Sequence, residues 1–492
     1  MRIRYIGHAS VTIEAAARRI VCDPWWNGPA FAGRWFQYPL PRPEVADSEK
    51  ADFIFVSHGH EDHLHVPTLR TMRKEAVALV PQLADTSLRD VFATLGFTRV
   101  VELRHGEKRR LAPALDVTLY RVHDDSILVV EADGRTLVNV NDALNMAPRH
   151  VIDHVCGLIR ARHPHLDIAL VGYGAPDWLP ACIRLEDGVK ADMTAREQAA
   201  AEGFAYVAQR LRAATTLPIG GSQVFVDDDA QWINAARLRA PSPCDELRRQ
   251  AGPGVQTHWL APGDRIVGDQ IRAMGGRRPT EDEVDVLVRS VFSMAISEHR
   301  QTVDASEPRL ERLLEALHQN ASSRARHVLA AGDTLSVRID VRDVPGTSFW
   351  VQATPREARA VRCDRLRLAP QVLEAPLAIL EALATQDYGD ECITQGCGAT
   401  LRLREVDLQH APALIALLGR RPLPPRRRDR CVAWLRAPRR MWQAWRAAAH
   451  WRELAARLRA GETWAAPAPE GLDPALWTER PEAGAAPEVS RF

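Results

Sequence analysis

Four potential metal donors fall within six residues of this sequence: His58, His60, Asp62 and His63, in Ser57-His58-Gly59-His60-Glu61-Asp62-His63. Imidazole is the commonest protein ligand for borderline metals, and a carboxylate adds a harder oxygen donor. The His-x-His-x-Asp-His spacing lets His58 and His60 face one ion while Asp62 and His63, on the other side of the loop, face a second. A lone His or Asp would be a bland surface or capping residue, but four donors packed this tightly are hard to explain structurally. Taken alone, the cluster points to hydrolysis by a metal-bound hydroxide, whose parent water has its pKa lowered towards about 7.

The surrounding elements place this loop. Phe53-Ile54-Phe55-Val56 is a compact apolar run of the kind found in a buried strand, and the histidines follow at its C-terminal end. Upstream, residues 3–6 and 11–13 read as strands flanking the turn Gly7-His8-Ala9-Ser10, and the strand 19–22 runs into Asp23-Pro24. Downstream, a helix over 66–74 has Pro67 in its first turn, and a helix over 86–95 stops at Gly96. Strands follow at 77–80, 99–103, 117–122, 127–131 and 136–140, the last two joined by the turn Ala132-Asp133-Gly134-Arg135. Helices over 149–162 and 195–213 alternate with strands at 167–172 and at 217–219. This rhythm predicts an α/β protein whose residues 1–265 form an αββα sandwich. A glycine- and proline-rich boundary runs from Pro262-Gly263 to Arg278-Pro279. Residues 280–418 then read as a smaller α+β domain, with helices over 281–301 and 308–319 and strands over 335–341, 348–354 and 398–403. Residues 419–492 are a basic helical tail carrying Trp434, Trp442, Trp445 and Trp451. Its tryptophans are expected to pack on the body, with contact to a protein partner, a nucleic acid or an anionic membrane surface as the functional readings.

The histidine loop resembles the defining motif of the metallo-β-lactamase superfamily, and further landmarks recur in order. Asp23, in Cys22-Asp23-Pro24, matches the superfamily's aspartate after the second strand, whose implied role is to orient the site. Asp142, in Val138-Asn139-Val140-Asn141-Asp142, falls where the superfamily places a carboxylate bridging two cations. The third histidine motif corresponds to Arg121-Val122-His123-Asp124-Asp125-Ser126, where either His123 or Asp125 serves as the ligand. The final histidine, expected after Leu217-Pro218-Ile219, is replaced by Gly220-Gly221-Ser222. Segments 170–176, 125–128 and 217–222 resemble the CMP-N-acetylneuraminate hydroxylase-like branch. The Rieske module of the true hydroxylases has no CxH…CxxH counterpart in these residues, so electrons are expected from another protein or from the substrate.

With Asp125 as ligand, the set becomes His58, His60 and His63 with Asp62, Asp125 and Asp142. Carboxylate-rich sites of this kind suit iron or manganese better than zinc. The resemblance therefore implies two divalent metal ions, iron favoured, and a diiron oxygenase acting on a small polar substrate, with Asp62, Asp142 and Tyr173 in the catalytic group. A metal-hydroxide hydrolase of lactones, amides or phosphoesters is the alternative, and a non-catalytic metal-binding scaffold the second. His8 either lines the site floor or is a hydrogen-bonded turn residue. Trp25, Trp26, Trp35 and Phe36 form either a substrate-facing wall or a contact with the second domain.

Composition narrows the field. The 492 residues exceed what one core usually supports. A formal net charge of +1 offers no global argument for nucleic acid. The start of the sequence lacks the apolar run of a secretory signal, and no stretch reaches the roughly 18 apolar residues of a membrane span. The eight cysteines lack paired spacing, Cys392 and Cys397 coming nearest, and a reduced cytoplasmic setting is the expectation.

Overall fold

The computed structural model describes residues 1–82, 88–174, 182–185, 193–227, 229–268, 270–273, 277–289, 305–330, 332–363, 369–386, 389–404, 407 and 410–420. The expected tail, with its tryptophans, lies outside them, as does the end of the helix expected over 281–301.

Two sheets face each other. The first has eight strands in the order β18 (Gln270–Arg272), β17 (Arg265–Val267), β1 (Arg2–Gly7), β2 (Ser10–Ala15), β3 (Arg18–Cys22), β5 (Phe53–Phe55), β6 (Val77–Pro81) and β7 (Arg99–Leu103). The second has seven, in the order β16 (Gln256–Thr257), β14 (Thr215–Ile219), β12 (Ile168–Gly172), β11 (Arg135–Asn141), β10 (Asp125–Ala132), β9 (Leu115–Val122) and β8 (Lys108–Ala112). Side-chain alternation builds the layers. Along β10, Leu128 and Val130 face the inter-sheet core beside Ile13 of β2 and Phe55 of β5, whereas Ile127 and Val129 face outward. That outward face is covered by Val151, Val155 and Ile159 of the helix Arg149–Arg162 and by Phe204 and Val207 of the helix Met193–Leu211. On the first sheet, Ile54 and Val56 meet Leu69 and Phe92 of the helices Val66–Thr71 and Leu88–Thr94. The central strands thus bury both faces, and the layering is the expected αββα sandwich. Its sheet continues beyond residue 265, because β17 pairs with β1 through Ile3 and Ile266 and β18 closes the edge.

A third sheet of six strands runs β13 (Ile183–Leu185), β23 (Thr400–Leu403), β22 (Gln371–Ala375), β19 (Leu335–Val341), β20 (Ser348–Ala353) and β21 (Ala358–Cys363). The 22-residue helix Glu307–Val328 packs on it through Leu310, Leu313 and Leu317. Strands β21 and β22 and the helices Leu377–Thr385 and Ala411–Leu418 are additions to the sequence reading. The polar pattern of β21 and the near-continuous apolar runs of those helices hide their period. Trp25, Phe31 and Trp35 join the core of this third sheet. Arg34, buried beside them, donates to the carbonyls of Gly396 and Cys397 and pairs with Asp227 at 2.6 Å. The aromatic loop after Asp23 is therefore a packing bridge between the sandwich and the third sheet. Among the described residues no helix is long and apolar enough to cross a membrane, and the seven described cysteines are free thiols.

Candidate metal centre

Strands β3, β5, β11, β12 and β14 release their chains on one side of the sandwich, the side where parallel sheets usually carry their sites. The histidine loop leaves β5 through Ser57, whose amide and hydroxyl both donate to Asp23 Oδ1, at 2.8 and 3.0 Å. It then closes a tight turn in which the amides of His63 and Leu64 donate to the His60 carbonyl. The turn points His58 Nε2 at His60 Nδ1, 2.8 Å apart. On its other side His63 Nε2 lies 3.3 Å from Asp62 Oδ2 and 3.3 Å from Asp142 Oδ2. Donor atoms of His58, His63 and Asp142 lie within 4.8 Å of one another, as do those of His8, Asp62 and His63.

Asp142 is placed by its backbone. Asn141 precedes it in the left-handed region (φ 52°), which asparagine tolerates better than most residues, and its side chain donates to Ser57 Oγ. Two glycines leave room for the carboxylate. A Cβ on Gly172 would fall 2.7 Å from Asp142 Oδ1, and one on Gly220 would fall 2.8 Å from it. A Cβ on Gly221 would strike the Tyr173 ring at 2.1 Å. The stretch that lacks the final histidine is thus occupied by Asp142 and Tyr173.

The two candidates of the third motif separate. Asp125 opens β10, is 9% exposed and lies 3.2 Å from His58 Nδ1. His123 sits in the preceding turn with a left-handed backbone (φ 56°), its side chain 63% exposed and 2.7 Å from Asp124. The structure gathers His58, His60, Asp62, His63, Asp125 and Asp142 and leaves His123 outside this group. Tyr173 is buried, donates its hydroxyl to the Gly221 carbonyl at 2.9 Å and stacks edge-on against Trp259.

Two residues outside the expected ligand set belong to this neighbourhood. His8 Nε2 is 2.9 Å from Asp62 Oδ2, and Trp25 packs edge-on against its ring. Glu61 accepts a 2.5 Å hydrogen bond from the Phe31 amide, tying the histidine loop to the aromatic bridge, and burial pushes its carboxyl up to about 7. The adjacent turn Gly7-His8-Ala9-Ser10 was a signal for His8; the sequence offered none for Glu61.

Electrostatics follow from crowding charges away from water. Burial opposes a charged His58, but Asp125 overrides it and lifts the imidazole to about 9. Burial and the neighbouring His58 push His60 down to about 3. Burial works against Asp62 and Asp142 as anions, yet His63 holds both below the usual carboxylate range, and Asp62 in turn lifts His63. Asp125 is raised, because its desolvation outweighs His58. Asp142 Oδ1 and both ring nitrogens of His63 are buried without a hydrogen-bond partner. Buried polar atoms seldom remain so. Cations held between these donors would satisfy them, so the residues fit a divalent metal pair.

Residues 18–220 match the family described as a β-lactamase superfamily domain. A Mycobacterium tuberculosis protein named as a Rieske 2Fe-2S iron–sulfur protein is 31% identical over 292 residues, 56% of this chain and 51% of that protein. The cytidine monophosphate-N-acetylneuraminic acid hydroxylase of Mus musculus is 32% identical over 152 residues, 29% of this chain and 26% of that enzyme. The chain thus spans at most about half the length of these curated relatives. Among solved structures, CmlA, a diiron β-hydroxylase from Streptomyces venezuelae, aligns over 54% of this chain and 53% of its own at 17% identity and a TM-score of 0.35. An isothiocyanate hydrolase from Delia radicum gut bacteria aligns over 54% and 98% at 14% identity and a TM-score of 0.37.

Proposed function

We propose that this chain, whose residues 18–220 match a β-lactamase superfamily domain, is a dinuclear iron enzyme that hydroxylates a small polar substrate with dioxygen. The observation that carries this reading is the burial of Asp125 against His58 while His123 faces solvent. With Asp125 as a ligand the centre would draw on three carboxylates, and sites rich in carboxylate oxygen suit iron and manganese better than histidine-dominated ones. Similarity to hydroxylases of CMP-N-acetylneuraminic acid supports the same class of reaction.

His58 and His60 would hold one ion with Asp125, and Asp62 and His63 the other, with Asp142 between them. When bound, the metal pair supplies the redox chemistry that reduces dioxygen. The protein's part is to fix and shield the donors. Asp23 anchors the loop through Ser57, and its carboxylate faces His63 Nδ1 at 3.6 Å, on the side of the ring away from the cluster. Trp25 and Trp35 close the floor behind His8 against water. Hydroxylation consumes one dioxygen, two electrons and two protons, giving R–OH and water from R–H. We assign the electrons to a separate redox protein.

The test is anaerobic reconstitution with ferrous and zinc ions, followed by metal analysis and oxygen uptake by the chemically reduced protein. Two irons per chain with oxygen uptake support the proposal. Two tightly held zincs with turnover of lactones or phosphoesters in the absence of oxygen would replace it with hydrolysis. Failure to bind either metal would leave a scaffold.

A further inference from the structure

The chain has no histidine at the end of β14, yet the space beside Asp62 and His63 is not short of an imidazole. His8 reaches it from the turn between β1 and β2. We infer that His8 is a metal ligand, supplying through Nε2 the donor that the β14 end lacks and completing the ion site formed with Asp62 and His63.

Three observations carry this. First, the donor atoms of His8, Asp62 and His63 converge within 4.8 Å of one another, all three residues buried. Second, His8 is seated by the very segment from which a histidine is missing. The Gly220 amide donates to the His8 carbonyl at 2.9 Å, and the His8 amide donates to Ser222 Oγ at 2.9 Å. Neither glycine of that segment can carry a side chain inward: Gly220 has φ +71° and Asp142 Oδ1 where its Cβ would be, and Tyr173 fills the corresponding space at Gly221. Third, His8 holds a left-handed backbone (φ 49°) although it is not glycine. Such conformations are strained and persist where surrounding structure fixes them, often at functional sites. With the backbone so held, the ring lies between Trp25 and His63, with centroids 5.1 and 5.8 Å away. Loss of a histidine at one strand end and its delivery from another turn leave the donor count of that ion unchanged.

A purely orienting histidine would hydrogen-bond to Asp62 and never meet the ion, so the test separates the two roles. It rests on the dinuclear reading. The full chain is titrated anaerobically with Co2+ by calorimetry, while the visible d–d absorption of each equivalent is recorded. Two variants are compared after circular dichroism of the metal-free proteins: His8→Asn, which suits the left-handed backbone but is too short to ligate, and His8→Gln, which can still donate to Asp62. The expected result is two ions for the wild type. In both variants one site keeps its affinity and the other weakens by more than about 100-fold, beyond the 10–100-fold usual for orienting partners, with an altered spectrum for that equivalent. Wild-type affinity and spectrum in His8→Gln would overturn the ligand assignment and leave the dinuclear reading standing. A wild type that binds fewer than two ions would overturn both.

Discussion

Replacing Asp125 and His123 separately by alanine discriminates sharply, because the two side chains are two residues apart and only one is turned inward. His123 pairs with Asp124 at the surface, and exposed pairs of this kind contribute about 0–1 kcal/mol. His123→Ala should therefore leave metal affinity unchanged and shift the melting temperature by no more than about 4 °C. Asp125 is buried against His58. Removal of a residue that only orients a ligand typically weakens metal affinity by about 10–100-fold, and loss of a ligand itself should exceed that. At fixed metal concentration well above Kd, a 100-fold weaker Kd removes about 2.7 kcal/mol of metal-dependent stabilisation. In a domain of this size that is about 5–11 °C of the thermal shift on adding ferrous ion. The assay is anaerobic differential scanning fluorimetry with and without metal, paired with direct titration. A loss beyond about 100-fold in Asp125→Ala marks a ligand, and 10–100-fold marks a partner that only orients His58. Full metal response in Asp125→Ala, or its loss in His123→Ala, would refute the assignment.

Other consequences are equally open to measurement. Gly220→Ala forces a Cβ onto Asp142 and strains a positive φ, so metal affinity should fall by about 10-fold or more; Gly203→Ala, in a helix with open space around it, should leave affinity intact and raise stability by up to about 1 kcal/mol. Arg34→Ala removes the buried guanidinium that pairs with Asp227 and, beside Arg342, with Asp229, and should cost about 1.5–3 kcal/mol in chemical denaturation. Burial works against the charged form of Asp229, but Arg34 and Arg342 hold its carboxyl below the usual range. A depressed folded-state pKa adds stability above the unfolded value near 4 and loses it as pH falls through the lower folded one. Asp229→Asn should therefore be less stable at pH 7 and show a shallower decline below pH 4, read by denaturant midpoints across pH.

The centre of the sandwich was legible because its strands carry both an alternating or wholly apolar run and a turn at the end, whereas β8, β16, β17 and β18, short or rich in charge, escaped the reading. Phe53 to Val56 and Ile127 to Val130 announce buried strands before any partner is known. The six-residue donor cluster was legible for a related reason: its residues are local in sequence, so spacing alone encodes geometry. What spacing could not encode was depth. His123 and Asp125 differ by two positions, and whichever opens β10 is buried, a choice made by pairing with β9 across a turn rather than by residue type. His8 escaped the ligand set because its neighbours Asp62, His63, Gly220 and Ser222 are 54 to 214 residues away. In the third sheet, β21 reads Ala-Arg-Ala-Val-Arg-Cys, a half-exposed edge strand whose arginines mask its period.

Strand β13 carries a consequence for the chain as a modular object. It lies between two elements of the sandwich, yet hydrogen-bonds in parallel to β23, more than 200 residues later, as the edge of the third sheet. A cut near residue 265 therefore would not separate two independent parts. The N-terminal piece would carry an orphaned strand with its backbone donors unmet, and the C-terminal piece would expose the naked edge of β23 as a template for other chains. The two halves are stitched rather than strung, and the half that carries the histidine loop should be inherited, expressed and lost only together with its companion.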